Sequence, residues 1–273
     1  MRVCGIIAEF NPFHNGHQYL IHKAKEITSA DTVVVVMSGD FVQRGEPALI
    51  DKYHRTRMAL AGGADLVLEI PALFCLGNAG QYASAAVKIL ESTGKVSQIS
   101  FGSESCDTGA LVRIADTLND DSILIEDRIR SFRTKGLSYP AARARAYSEV
   151  RADITCADPE SDPEILSDIQ ILNSANDILA VEYIRAMKSA APVAIQRRGA
   201  GYSDPYDADS SFQSSSALRY MIFSGRDVSG YIPGFTDAAL RECHLTGPDH
   251  DKWFDALRYA VLSVDRSEEH TSE

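Results

Sequence analysis

Residues 10–17 read Phe-Asn-Pro-Phe-His-Asn-Gly-His and follow an apolar, β-branched run from Val3 to Ala8. The run is typical of a buried parallel strand, and Asn-Pro ends it because the residue before a proline avoids the helical region. Gln18 to Ile27 has helical periodicity, so the sequence predicts a strand, a sharp turn and a helix N-terminus. Gly16 leaves space for a ligand to approach the backbone, and the N–H groups of a helix N-terminus favour phosphate.

Two histidines, His14 and His17, stand in this turn. Both side chains can donate hydrogen bonds to a phosphate, and they add positive charge if they are protonated. A lone histidine more often satisfies hydrogen bonds inside a core than it binds a ligand. Here the proline turn, the second histidine, the glycine and the preceding strand agree, so we interpret the stretch as phosphate-binding and keep a purely structural turn as the alternative.

A second phosphate-binding element is predicted at residues 214–219, which read Ser-Ser-Ser-Ala-Leu-Arg. A serine at a helix N-cap leaves backbone N–H groups pointing toward an anion, and the Arg219 guanidinium matches the geometry of phosphate. Serines before a helix are common, so this element alone is weak evidence. Together with the histidine turn it predicts two halves of one site.

Bulk composition sets the class of protein. The 273 residues are 45% hydrophobic and 24% charged, which is typical of a globular chain with one large core or two modest ones. The five cysteines form no CxxC or CxxH pair, so we expect free thiols of a reducing cytosol rather than disulfides or a zinc site. The chain has no apolar run of about 18 residues and begins directly with a core strand. We therefore expect no membrane span, no signal peptide, a cytoplasmic location and no dedicated metal site.

Strands and helices alternate along the chain. A second β-branched run at Thr32–Met37 completes a strand–helix–strand unit. Further strands are predicted at 65–70, 98–101 and 192–196, and further helices at 51–61, 78–92, 107–118 and 178–188. This alternation predicts an α/β fold with a doubly wound parallel sheet and additional helical segments. Ligands bind at the carboxyl ends of the strands in such sheets, where polar loops at 38–48 and 102–104 are expected.

Charge is distributed unevenly. A net charge of −11 argues against non-specific adhesion to nucleic acid by the whole chain. One segment, 128–151, carries seven cations against a single acid: Arg128, Arg130, Arg133, Lys135, Arg143, Arg145 and Arg151 against Glu149. Its aromatic residues are able to stack on bases. Charge alone favours a solvated helix face over an RNA-binding surface. Lys52 and Arg55, three residues apart, present the same two alternatives.

Several blocks together resemble one family, the bacterial tRNA(Met) cytidine acetate ligases of the HxGH nucleotidyltransferase superfamily. The blocks are residues 5–17, 37–48, 101–104, 136–140, 176–179 and 200–202. The block at 37–48, Met-Ser-Gly-Asp-Phe-Val-Gln-Arg-Gly-Glu-Pro-Ala, is far more specific than the HxGH signature, which the whole superfamily shares. The resemblance runs from residue 1 to about 260 and implies a Rossmann-like core of the HIGH nucleotidyltransferase type.

The resemblance also implies a ligase that works in two steps. ATP and acetate form acetyl-adenylate and pyrophosphate, and the acetyl group then passes to N4 of the wobble cytidine of elongator tRNA(Met). We expect Mg²⁺ to accompany the triphosphate. Asp40 is able to touch such an ion, although a role as a loop cap is favoured.

Site residues follow by matching the motifs. The ATP-binding residues that the resemblance implies are Ile7, Asn11, His14, Gly16, His17, Leu20, Gly102, Asn176, Arg197, Ser215 and Ser216. The catalytic candidates are His14, His17 and Arg219, because attack of a carboxylate on the α-phosphate concentrates negative charge. We expect His17 to face the α-phosphate and Arg219 the leaving pyrophosphate. Given the resemblance, the candidate tRNA-binding residues are Arg143, Arg145, Lys52 and Arg55.

The predicted domain organisation has three parts. Residues 1–225 form a nucleotidyltransferase-like catalytic domain with a helical, basic insertion near 107–170, and residues 226–265 begin a C-terminal region. Residues 266–273 resemble a translated sequencing adapter, so we expect a non-native tail and a natural chain that continues past about Asp265; a native polar tail is the alternative.

Two other functions remain open at this point. One is a nucleotidyltransferase that makes a nucleotide-linked small molecule without RNA. The other is a non-catalytic module that binds a nucleotide. No pattern in the sequence indicates an oligomeric state.

Overall fold

A computed structural model of the 273-residue chain describes residues 1–43, 45–198, 212–247 and 250–263. For residues 250–253 it describes the backbone only. Three features singled out from the sequence lie outside the described residues: Arg44, the Ala200-Gly201-Tyr202 block and the tail at 266–273.

One parallel sheet forms the centre of the part of the chain that the structure describes. Its strands are β1 (Val3–Ala8), β2 (Thr32–Ser38), β3 (Leu66–Ile70), β4 (Val96–Ser103) and β5 (Ala191–Gln196). Their order is β3-β2-β1-β4-β5, so the chain builds the sheet outward from β1 in one direction and then in the other. The predicted α/β fold with a doubly wound sheet is confirmed.

Strand register brings the functional loops to one edge. β1 pairs with β2 from Val3 opposite Thr32 to Ala8 opposite Met37, and β1 also pairs with β4. Because the strands are parallel, their carboxyl ends lie at the same edge of the sheet. The turn after β1, the loop after β2 and the loop after β4 therefore meet there.

Helices cover both faces of the sheet. The helices are α1 (Asn15–Thr28), α2 (Lys52–Ala61), α3 (Ala72–Cys75), α4 (Ala79–Ser92), α5 (Thr108–Asp120), α6 (Ser122–Thr134), α7 (Tyr139–Thr155), α8 (Pro163–Asn173), α9 (Ala175–Ala186), α10 (Ser215–Phe223), α11 (Gly234–Glu242) and α12 (His250–Ser263). Alternate residues of a strand face opposite sides. Val34 therefore packs in the core formed with α4, α5 and α9, and Val33 packs in the core formed with α1 and α2.

The segment 212–247 returns to the carboxyl edge of the sheet. The backbone N–H of Asn15 donates to the carbonyl of Tyr231 (3.0 Å), and the N–H of Thr246 donates to the carbonyl of Leu49 (2.8 Å). The rings of Phe13 and Phe235 lie 5.7 Å apart. This segment is thus attached to both the histidine turn and the loop after β2. The predicted domain division at residue 225 stays a prediction.

None of the helices in the described ranges has the length and apolar character that crossing a membrane requires.

Candidate functional site

The two histidines of the turn cap α1 reciprocally. His14 is the N-cap residue, and its Nδ1 accepts a hydrogen bond from the N–H of Gly16 (3.0 Å). Nδ1 of His17 accepts one from the N–H of His14 (3.3 Å). The two rings stack with their centroids 3.6 Å apart. Since each Nδ1 accepts, the proton of each neutral ring is on Nε2, which is the ring N–H left to donate to a ligand.

Burial keeps both imidazoles neutral. Burial, and next the positive charge of Arg197, lower the pKa of His14 from 6.5 to about 3. Burial, then His14 and then Arg197, lower the pKa of His17 well below its usual value. Both rings therefore act as uncharged hydrogen-bond donors near neutral pH, and the positive charge of the site comes from arginines.

The serine element faces the histidine turn directly. Ser214 caps α10, because its Oγ accepts a hydrogen bond from the N–H of Ala217 (3.2 Å). Arg219 donates from Nη1 to the carbonyl of Asn11 (2.8 Å) and from Nη2 to Oγ of Ser216 (3.3 Å). The guanidinium is thus oriented by both elements, which the structure places side by side as the sequence predicts.

Arg197 approaches from the opposite side, after β5. Its Nη1 donates to Oδ1 of Asn176 (3.2 Å), and its Nε lies 3.9 Å from the Glu104 carboxylate. The chain passes close to it at Gly102, where an added Cβ would lie 3.2 Å from Cγ of Arg197. Glycine at this position therefore keeps the arginine in place. The structure brings together all three residues that the resemblance implied on this side.

One positioning residue on this side, Asp177, was not among the predicted site residues. Its buried carboxylate accepts from Oγ of Ser103, from the N–H of Glu104 (3.1 Å) and from the N–H of Ser105 (3.0 Å). These bonds fix the loop after β4 against α9 and so position Asn176. The signal available in the sequence was an acid directly after the asparagine at the start of a predicted helix.

Arg55 requires a correction. It was expected on a tRNA-facing helix surface, but it is 0% exposed. Its guanidinium donates to four backbone carbonyls: those of Glu9 (2.7 Å), Ser38 (3.1 Å), Ile50 (3.1 Å) and Gly39. Arg55 therefore holds the carboxyl ends of β1 and β2 together and is not available to RNA.

Lys52 and Asn11 also have structural partners. Lys52 pairs its Nζ with the Glu69 carboxylate at 2.8 Å, whereas Arg55 on the same helix is fully buried. Asn11 accepts from the N–H of Leu49 (2.7 Å) through Oδ1, so it joins the histidine turn to the loop after β2.

Arg143 is the second correction. It is 8% exposed, and its Nη2 donates to the Glu182 carboxylate on α9 at 2.6 Å. It faces inward because it lies on the same side of α7 as the buried residues Ala142 and Tyr147. Arg145, by contrast, has a side chain that is 59% exposed, with Nε 3.6 Å from Glu149. Of these two arginines, Arg145 is exposed and stays a candidate for tRNA binding, and Arg143 is buried and does not.

The site is one cavity of about 230 Å³ at the carboxyl edge of the sheet. Arg219 lines it, and so do all the predicted ATP-binding residues except Asn11: Ile7, His14, Gly16, His17, Leu20, Gly102, Asn176, Arg197, Ser215 and Ser216. Lining residues that the sequence analysis did not identify include Glu9, Gln43, Tyr82 and Tyr183. The cavity is thus lined by cations and hydrogen-bond donors and also by two carboxylates, those of Glu9 and Glu46.

Metal ligands do not cluster in the described part of the chain: it contains no group of three or more His, Cys, Asp or Glu residues arranged to hold an ion. Asp40 accepts the N–H of Lys52 (2.9 Å), the bond of a loop cap.

The chain is similar to one family model and to several named proteins. The family model described as HIGH Nucleotidyl Transferase matches residues 1–272. The tRNA(Met) cytidine acetate ligase of Clostridium perfringens (strain ATCC 13124) is 37% identical over 96% of this chain and 65% of its own length. The enzyme of the same name from Halothermothrix orenii is 40% identical over 82% of this chain and 53% of its own length.

Solved structures agree with the sequence comparison. Thermotoga maritima TmcAL bound with alpha-thio ATP is similar with a TM-score of 0.77 and 35% identity, over 89% of this chain and 56% of that one. Its apo form gives a TM-score of 0.79 at 36% identity, over the same shares.

The chain thus spans between 53% and 65% of the length of the relatives named above. Within that span, the histidine turn, the serine element and the loop after β2 all lie around one cavity, and identity exceeds 30% across most of the chain. This chain belongs to the HIGH nucleotidyl transferase family, and it is similar to the tRNA(Met) cytidine acetate ligases over most of its length.

Proposed function

We propose that this chain forms acetyl-adenylate from ATP and acetate and transfers the acetyl group to N4 of the wobble cytidine of elongator tRNA(Met). The observation that carries the proposal is the convergence of His14, His17, Ser216 and Arg219 on one cavity. The similar structure of Thermotoga maritima TmcAL is bound with alpha-thio ATP, which supports the binding of a nucleotide in this cavity.

The first step places negative charges against each other. An acetate oxygen attacks the α-phosphorus of ATP, and pyrophosphate leaves with the electron pair of the broken P–O bond. Donors that are already oriented stabilise the charge that develops in the transition state. His17 donates from Nε2 to the α-phosphate, while Arg219 and the N-terminal amides of α10 stabilise the leaving pyrophosphate.

Mg²⁺ is expected to accompany the triphosphate, and Glu46, whose carboxylate lines the cavity, is a side chain that would hold it. Such an ion keeps several waters and takes most of its protein contacts from one or two carboxylates, with phosphate oxygens supplying the rest. When bound, the ion would neutralise charge on the pyrophosphate. Acetate supplies the acyl group, and a cytoplasmic location agrees with a tRNA substrate.

His17→Ala tests the adenylation step. We expect acetate-dependent exchange between ATP and pyrophosphate to fall by about 100-fold or more, because a donor to the charge of the transition state is lost. His22→Ala is the matched control, since His22 is an exposed histidine on the same helix. Exchange that proceeds equally without acetate, or a His17→Ala chain as fast as the wild type, contradicts the proposal.

Arg145→Ala tests the tRNA surface. We expect weaker binding of tRNA and a salt dependence whose log–log slope falls by about 1, because one phosphate contact is removed. Filter binding between low and moderate salt measures both quantities. Arg2→Ala is the control, because Arg2 is exposed at the opposite edge of the sheet. An unchanged slope for Arg145→Ala would show that Arg145 makes no contact with a tRNA phosphate.

A further inference from the structure

Three arginines line the cavity: Arg197, Arg198 and Arg219. Two of them are held by polar partners inside the protein, since Arg197 donates to Asn176 and Arg219 donates to Ser216. Arg198 differs from both. Its side chain is exposed, and within the described ranges no carboxylate pairs with it. This cation therefore lies at the rim of the cavity with its charge uncompensated by a neighbouring acid.

An aromatic ring positions Arg198 at this rim. The guanidinium carbon lies 4.7 Å from the centroid of the Tyr19 ring on α1, and the same ring contacts Phe212 with the two centroids 6.0 Å apart. Tyr19 also lines the cavity. A guanidinium that stacks on a ring keeps its N–H donors in its own plane, where they point past the ring. The stack thus gives the side chain a direction and leaves its donors available to a ligand.

Two carboxylates, those of Glu9 and Glu46, also line the cavity, and both lie toward the loop after β2. Glu46 is in that loop, and the Glu9 carboxylate accepts a hydrogen bond from the N–H of Gln43 in the same loop (2.8 Å). Arg198 follows β5, which the order β3-β2-β1-β4-β5 places three strands away from β2. At about 4.8 Å for each strand this separation is about 14 Å. A polyanion is therefore attracted to the rim at Arg198 and repelled from the side of the carboxylates.

The acceptor in the proposed reaction is one nucleotide of an RNA. An RNA chain is too wide to enter the cavity, and an enzyme that acts on a base takes that nucleotide out of its stack and leaves the flanking phosphates outside. Arg219 and the histidines inside the cavity are assigned to the triphosphate. An exposed arginine at the rim matches a flanking phosphate instead, because its forked donors fit phosphate oxygens.

We propose that Arg198 binds a backbone phosphate of the acceptor RNA, next to the nucleotide whose base enters the cavity. The proposal rests on the proposed function and adds the route of the acceptor, which passes over the ring of Tyr19 and away from Glu9 and Glu46. Arg198 takes no part in the adenylation step. Loss of its side chain therefore weakens the binding of RNA and leaves the formation of acetyl-adenylate intact.

Arg198→Gln is the test, with Arg226→Gln as the matched control. Arg226 is also exposed and also stacks on a tyrosine, with its guanidinium carbon 5.6 Å from the ring centroid of Tyr220, but it is not among the residues that line the cavity. Binding of tRNA(Met) is measured over a range of salt concentrations in the presence of ATP.

We expect Arg198→Gln to bind tRNA about 5- to 10-fold more weakly at low salt, and the log–log slope of its salt dependence to fall by about 1. Arg226→Gln is expected to match the wild type. Arg198→Lys is expected to recover the slope, because the slope counts the cations that neutralise phosphates. An unchanged slope for Arg198→Gln, or an equal change in Arg226→Gln, overturns the proposal.

Acetate-dependent exchange between ATP and pyrophosphate, without RNA, is the second measurement on the same variants. We expect the exchange rate of Arg198→Gln to stay within about twofold of the wild type, which also shows that the variant is folded. Parallel loss of exchange and of RNA binding would place Arg198 at the ATP or in folding and overturns the proposal. Exchange absent from the wild type, with the effect of Arg198 on the salt slope intact, would instead contradict the proposed first step, so the two failures are distinguishable.

Discussion

Arg55→Ala is expected to lower the free energy of unfolding by about 4 kcal/mol. The substitution leaves four backbone carbonyls without their donor in a buried position, and each buried acceptor left unsatisfied costs about 1 kcal/mol, the low end of the general range. Burial lowers the pKa of Arg55, yet the guanidinium remains charged at any physiological pH. Urea denaturation at pH 7.5 measures the loss.

The same variant is expected to bind ATP weakly, because Arg55 connects the ends of β1 and β2. Arg57→Ala is the control: Arg57 is exposed on the same helix, so we expect a change within about 0.5 kcal/mol. Arg55→Lys restores the charge but not the forked donors, and we expect it to recover only part of the stability. Full recovery by lysine would show that charge, and not the hydrogen-bond geometry, is what the site requires.

Acidification is expected to destabilise the fold through the histidine turn. The pKa of His14 is about 3 in the folded chain and 6.5 as its ordinary value, so the folded state favours the neutral ring. The stability that comes from keeping His14 neutral is fully present above pH 6.5 and is lost progressively as the pH falls from 6.5 toward 3. At pH 4.5 the loss from His14 alone amounts to about 3 kcal/mol.

Urea denaturation at pH 7.5 and at pH 4.5 checks this expectation in the wild type and in His14→Asn. Asparagine retains an N-cap acceptor for α1 but does not titrate. The variant is therefore expected to lose about 3 kcal/mol less than the wild type between the two pH values, while the carboxylates of both chains respond alike. Equal losses of stability in the two chains would show that burial does not lower the pKa of His14 in the folded protein.

The sheet, the histidine turn and the serine element were predictable because local composition determines them. β-branched runs such as Val3–Ala8 have few alternatives to a buried strand, and a serine before an apolar helix caps it wherever the helix packs. The placement of Ser214, His14 and His17 at helix N-termini follows from such local rules, and the structure confirms it.

The direction in which a cation points was not predictable in the same way. Arg55 and Arg143 occur in basic, helical stretches that read as solvated or RNA-facing surfaces. Their partners are backbone carbonyls of two separate loops and a carboxylate on α9, and local spacing does not encode those contacts.

The return of the segment 212–247 to the carboxyl edge has a consequence for how the protein is made. The histidine turn, which lies near the N-terminus of the protein, is completed by contacts with Arg219 and Tyr231. Thr246 adds a bond to Leu49 in the loop after β2. Those residues leave the ribosome roughly 200 residues after the histidine turn, so the turn is made long before the contacts that complete it. Closing such a long loop is slow compared with forming the local strand–helix–strand unit. The histidine turn therefore reaches its complete form only after the segment 212–247 has docked.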